Sequence, residues 1–302
     1  MNFDIQNIRL VTLYGFFDDG QVETHVQVPV AQDVCTELKK MLGNTLGSLG
    51  LPLSAANLEQ FDPSEKYGPT EALRLPLATG YVQDLKEVID LRNLPSDINA
   101  LNDVINLEYY YAIFQDQAGR LLYAFRRASQ FKGVAKSMLA VVSGGALSLL
   151  KKAVFRLDND FDYIVDCDSL FIYILKPSGF EFTTNVHRQM LLAAATNGHA
   201  IGAAITYIDM TGLIAYATTH SKSARLMAAI KSRNDLHQID RALLVLACAE
   251  NGVNVINPVM GNLAPDNGSE FDFLCILDRR AYTAMLVPNL PENYIAASRA
   301  RK

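Results

Sequence analysis

The chain lacks the residue spacings on which most cysteine and metal chemistry depends. Its four cysteines, Cys35, Cys167, Cys248 and Cys275, form no CxxC pair. Each lies among apolar neighbours, as in "VLACAE" and "FDFLCIL", so they read as buried, reduced thiols rather than disulfides or ligands. Five histidines, His25, His187, His199, His220 and His237, sit in separate segments without HxxxH or HExxH spacing. No zinc site is expected from them. GxSxG, GxxxxGK[ST] and a strand-linked GxGxxG are all missing, which removes the common hydrolase and nucleotide-binding signatures. "SGGALSLLKK" is glycine-rich and ends in lysines, but it does not have the spacing of a phosphate-cradling loop. No cofactor and no catalytic residue is therefore assigned.

Long uninterrupted hydrophobic runs are also absent. The stretch 134–150 contains Lys136 and a Gly-Gly pair, and 189–217 is broken by Asn197, Gly198, His199 and Asp209. Neither provides the roughly 20 apolar residues that a spanning helix needs, so neither is expected to be a transmembrane helix, and 189–217 is expected as helical core segments. The opening "MNFDIQNIRL" shows neither a basic n-region nor a continuous apolar run. A cytoplasmic protein is the expectation. At 302 residues, half of them hydrophobic and a fifth charged, the composition is that of a folded globular protein.

Anions are missing from one region in particular. The formal net charge is -5, yet residues 117–157 hold eight cations and no carboxylate: Arg120, Arg126, Arg127, Lys132, Lys136, Lys151, Lys152 and Arg156. Residues 1–116 carry -10 and residues 158–302 carry -3. Forty residues without an acid suggest a polyanionic partner, whose phosphates favour Lys and Arg. The competing explanation is a solvated face paired across the fold with the acidic N-terminal region, where surface pairs contribute little. A smaller basic cluster, Lys222, Arg225, Lys231 and Arg233, fits one face of an amphipathic helix.

The periodicity predicts an α+β protein. "IRLVTLYGFF" and "QVETHVQVPV" read as a hairpin turned at "DDG", followed by a helix over "AQDVCTELKKMLGN" that stops at Gly43-Asn44. Residues 43–80 read as long loops with one short helix, and "SDINALNDVINL" as a helix capped by Ser96 or Asp97. From residue 107 the pattern becomes a meander of antiparallel strands: "LEYYYAIFQD" and "LLYAFRR" around a "DQAG" turn, then "AVFRLD", "DYIVDC", "LFIYIL" and, beyond a "KPSG" turn, "FEFTT". Beyond Asn185 the pattern is helical up to an Asn251-Gly252 cap. Strands at "VNVI" and "EFDFLCIL" and a helix over "DRRAYTAMLVPN" close the chain. The expected architecture is an antiparallel meander sheet packed against a helical C-terminal half, preceded by a smaller hairpin-plus-helix region, with domains 1–106 and 107–302.

The richest carboxylate cluster is "DNDFDYIVDCD", with Asp158, Asp160, Asp162, Asp166 and Asp168. Paired acids near a lysine can hold a divalent ion beside a phosphodiester, so Asp162, Asp166 and Glu181 near Lys176 define an alternative reading as a metal-dependent nuclease. Such nucleases place Glu-x-Lys on one strand, and "FEFTT" does not.

In the order of "YYYAIFQDQAGRLLYAFRRAS", "FRLDNDFDYIVDCDSLFIYILKPSGFEF" and the terminal "LDRRAYTAMLVPNLPENYIAASRAR", residues 107–300 resemble the KwaB-like family, the cytosolic component of the Kiwa anti-phage defence system. The resemblance implies a DNA-binding effector that forms a homodimer or higher homo-oligomer. It also implies a KwaA-like membrane protein as partner, with recruitment to the inner membrane, and it carries no catalytic residue. The double-stranded DNA contacts expected from the basic block are Arg126, Arg127, Lys132, Lys136, Lys151, Lys152 and Arg156. A third reading is an interaction module whose basic block docks on a membrane-protein partner or on anionic lipid.

Overall fold

The structure is a computed structural model that describes residues 2–18, 23–51, 55–90, 107–128, 140–143, 146–149, 157–287 and 290–296. The chain divides into two compact units, residues 1–60 with 68–184, and residues 61–67 with 185–302. The expected boundary at 106/107 does not coincide with this division, because strands from both sides of it share one sheet.

In the first unit, β1 (Ile8–Asp18), β2 (Glu23–Val28), α1 (Gln32–Ser48), β3 (Glu59–Gln60), β4 (Leu73–Pro76) and α2 (Gln83–Asp90) precede the central strands. These are β5 (Leu107–Asp116) and β6 (Leu121–Arg127). After them come a separate hairpin of β7 (Ala140–Ser143) and β8 (Ala146–Leu149), then β9 (Tyr163–Asp166), β10 (Phe171–Ile174) and α3 (Pro177–Thr183). The main sheet runs β2-β1-β5-β6-β9-β10-β4-β3, and only the β3/β4 pair is parallel. Four strands of the expected meander are present in order as β5-β6-β9-β10. The N-terminal hairpin extends it through β1 against β5, with Tyr14 opposite Tyr111 and Phe16 opposite Tyr109.

Because side chains alternate along a strand, each face of this sheet has its own chemistry. On one face Tyr110, Ala112, Phe114, Leu122, Ala124 and Ile164 form a buried core with Leu38, Met41, Leu42 and Leu46 of α1. These four recur at helical spacing. The same stripe carries α1 past Gly43-Asn44, where the sequence predicts a stop, to Ser48, and Gly50 beyond it adopts φ +67°. On the other face, directly opposed residues build an aromatic row across four strands. Tyr14, Tyr111, Phe125 and Tyr163 stack in succession at 5.1, 5.1 and 4.7 Å between centroids. Each such pair contributes about 0.5–1.5 kcal/mol beyond area burial.

The second unit holds α4 (Val186–Ala204), α5 (Thr211–Ala217), α6 (Ser221–Lys231), α7 (Arg241–Glu250), the short pair β11 (Val255–Ile256) and β12 (Ala264–Pro265), α8 (Glu270–Leu277), and a hairpin of β13 (Ala281–Val287) and β14 (Leu290–Ile295). Helices α4 and α5 approach closely at Gly198, where a Cβ would collide with Ile214. At the end of α8, buried Arg280 donates from Nε to buried Asp278 (2.7 Å) and reaches Ser64 with Nη2 (3.1 Å). No helix among the described residues is long and apolar enough to cross a membrane.

The α+β expectation holds, but Glu59–Gln60 and Leu73–Pro76, in the stretch expected as loops, are strands β3 and β4 of the main sheet, where β4 is secured by pairing with β10. Three further segments are reversed. "FEFTT" is not a strand: Pro177, whose fixed φ suits a first helical turn, starts α3 there. "EFDFLCIL" is not a strand either. Its first four residues alternate, but Glu270 and Asp272 occupy the first turn of α8, and Phe273 to Leu277 are buried all round. "DRRAYTAMLVPN" is the β13 strand and not a helix, secured by pairing with β14 and by Tyr282 stacked on Tyr294 at 5.5 Å. The helix expected over 96–107 lies outside the described residues, save Leu107, which opens β5. Of the strand expected over 153–158, only Leu157 and Asp158 are described, and they lie in no strand.

Candidate nucleic-acid interface

The basic pair Arg126-Arg127 ends β6, so consecutive side chains leave on opposite faces of the sheet. Arg126 shares the face of Ala124 and Leu122 and meets carboxylates. Its Nε donates to Asp158 (2.8 Å) and its Nη1 pairs with Asp162. Asp162 is only 2 % exposed as a side chain. Burial pushes its carboxyl above its ordinary value, while the Arg126 guanidinium and the Arg127 backbone N–H (2.8 Å) oppose that rise.

The surroundings lock Asp162 further. Its carbonyl accepts from the N–H groups of Leu175 and Lys176, both at 2.8 Å, and Lys176 forms an ion pair with Asp160. Gly179 of α3 lies so close to the Asp162 carboxylate that a Cβ there would overlap it. Arg126 is thus a structural cation in a sheet-to-helix junction. Arg120 is likewise engaged, donating from Nε to buried Asp116 at 2.7 Å.

Arg127 differs from both. It shares the face of Phe125, is exposed, and places its guanidinium carbon 3.9 Å over the ring of Phe182 on α3. Among the described residues it has no carboxylate partner. Phe182 is itself 39 % exposed. Sequence reasoning missed it because "FEFTT" reads as a strand, although Pro177 was the available helix signal. The other expected DNA contacts, Lys132, Lys136, Lys151, Lys152 and Arg156, lie outside the described residues.

The nuclease carboxylates are not brought together. Asp162 immediately precedes β9 and Asp166 ends it, about 13 Å apart at strand rise, and Asp166 accepts from the N–H groups of Asp168 (3.1 Å) and Ser169 (3.3 Å). Among the described residues no group of three His, Cys, Asp or Glu could hold a metal ion.

Of the second basic cluster, Arg225 donates to the Pro63 carbonyl (2.9 Å) and Arg233 to Asp235 (2.9 Å), while Lys222 and Lys231 are exposed. Cys248 and Cys275 are buried, and burial pushes their thiols up to about 11 and about 12. Cys35 and Cys167 are only half-buried, which corrects the expectation of four buried thiols. Comparison with family models, with curated proteins and with solved structures found no match to this chain.

Proposed function

We propose that this chain is a DNA-binding effector of bacterial anti-phage defence, of the KwaB-like kind, that contacts the phosphate backbone without strong sequence readout. It works as a cytoplasmic homodimer or higher homo-oligomer recruited to the inner membrane by a KwaA-like membrane protein. The observation that carries the DNA-binding part is the segregation of charge: eight cations and no anion over residues 117–157 in a chain of net charge -5. Arg127 supports it as an exposed cation without a carboxylate partner among the described residues, at the end of β6. The sequence beyond it, 129–156, adds five cations and no carboxylate.

With Arg120 and Arg126 engaged by Asp116, Asp158 and Asp162, the phosphate contacts come from Arg127, Lys132, Lys136, Lys151, Lys152 and Arg156. Six such contacts correspond to a salt slope of about -5 on duplex DNA. Fluorescence anisotropy against a labelled duplex across a salt series tests this. The Lys151→Glu/Lys152→Glu double variant flattens the slope by about 2 if both lysines contact phosphate. Unchanged binding in that variant, or no binding at low salt, counts against the reading. Flotation with liposomes of anionic and of neutral lipid then decides whether the basic block serves a membrane surface instead.

A further inference from the structure

We propose that Arg127 and Phe182 together form a stacking platform for an unpaired nucleobase, so that the protein holds single-stranded DNA more tightly than duplex of equal length. The inference rests on the DNA-binding reading above and adds to it the strand form that is recognised.

Four observations carry it. First, Arg127 lies 3.9 Å over the Phe182 ring, and both side chains are exposed. An exposed cation–aromatic contact is worth only about 0.5–1 kcal/mol, so the pair does little for the fold, but it orients the guanidinium beside an accessible ring. Second, both members are held in place from below. The Arg127 N–H is bonded to the buried Asp162 carboxylate. Phe182 sits on α3 near fully buried Phe180 and next to half-buried Thr183, whose hydroxyl meets that of Tyr163 at 2.9 Å. A platform fixed before the ligand arrives loses little conformational freedom on binding.

Third, the charge of Arg127 is not taken by a carboxylate among the described residues, whereas Arg126 next to it is doubly engaged. Its N–H groups remain available to the phosphate adjoining a stacked base. Fourth, every base has a π-face, so an Arg–aromatic surface takes any sequence, in keeping with the proposed phosphate binding without strong sequence readout. A base inside a duplex is already stacked on both sides, which makes the single strand the better ligand.

The test uses the full chain with a labelled thymidine 20-mer and a 20-base-pair duplex. Phe182→Leu keeps an apolar side chain beneath Arg127 but removes the ring. It lowers affinity for the single strand about tenfold, within the roughly 5- to 150-fold expected for one stacked base, with the salt slope and the duplex affinity unchanged. Phe182→Tyr retains single-strand binding. Since the chain has no tryptophan, Phe182→Trp introduces a single indole, excited selectively at the red edge beyond tyrosine absorption, whose emission falls when a base stacks on it.

Single-strand affinity within twofold of the native protein in Phe182→Leu, or no quenching in Phe182→Trp while anisotropy reports bound single strand, overturns the platform and leaves phosphate binding intact. Absence of binding to either DNA form at low salt overturns both. The quenching measurement stands alone should Phe182→Leu fail to fold.

Discussion

Replacing Arg126 by methionine tests whether this residue serves the fold or the ligand. The substitution keeps an apolar stem on the core face of β6 and removes the guanidinium from Asp158 and Asp162. The Asp158 side chain is 12 % exposed and recovers part of its hydration, but Asp162 is 2 % exposed and does not. Taking one partner from a buried pair costs about 3–5 kcal/mol. Asp162 keeps the Arg127 N–H bond, which places the expected loss near the lower end, about 3 kcal/mol. For a unit of this size that corresponds to a fall in Tm of about 6–12 °C.

The pH dependence has a definite sign. Burial already raises the Asp162 carboxyl above its unfolded value, and loss of Arg126 raises it further. A carboxyl whose folded pKa exceeds the unfolded one binds its proton more tightly in the native state. The native state is therefore favoured below the unfolded value of about 4, and this advantage is lost as pH rises through the folded pKa. The deficit of the Arg126→Met protein is largest at pH 8 and shrinks towards acid. Urea unfolding followed by circular dichroism at pH 8 and pH 5 measures it. A deficit below about 1 kcal/mol at pH 8, or one that grows as pH falls, would refute the buried-pair reasoning. An unchanged DNA salt slope in the same protein is the accompanying expectation.

Gly179→Ala puts a methyl group into the Asp162 carboxylate and destabilises the first unit by about 1–3 kcal/mol in the same urea assay. Thr45→Val removes the hydroxyl that accepts from the Phe161 N–H at 2.8 Å and donates to the Met41 carbonyl, leaving a buried N–H without a partner. A loss of about 1–3 kcal/mol with α1 intact by circular dichroism is expected. Burial lowers the His25 imidazole to about 4, so its proton signals in NMR titrate near pH 4 rather than 6.5. Because the unfolded chain takes up that proton first, stability falls as pH drops from 6.5 through about 4, and His25→Phe removes that part of the acid sensitivity.

What was legible in the sequence was local alternation between turn signals. Phe16 to Val28 and Tyr109 to Arg127 display period-two patterns around Asp-Gly and Ala-Gly turns, and each became an antiparallel pair. Where a run is short and apolar throughout, the period carries no information. "FLCIL" is equally a buried strand or a buried helix, and the packing around α8 makes it a helix. The β13 strand is decided by its β14 partner, because strand pairing is a contact that local preference does not encode.

The same division runs through the candidate site. The excess of cations over residues 117–157 and the position of Arg126-Arg127 at a strand end follow from the sequence alone. Their separation into one structural and one exposed arginine does not. It requires Asp162, 36 residues from Arg126, to pair with it on one face of the sheet, and it requires α3 to set Phe182 beneath Arg127 on the other. Composition and periodicity determined which charges are present and which segments alternate. Only the tertiary structure decided which charges are already neutralised: Asp116 reaches Arg120 across a local turn, but the carboxylates that hold Arg126 come from 32 and 36 residues away.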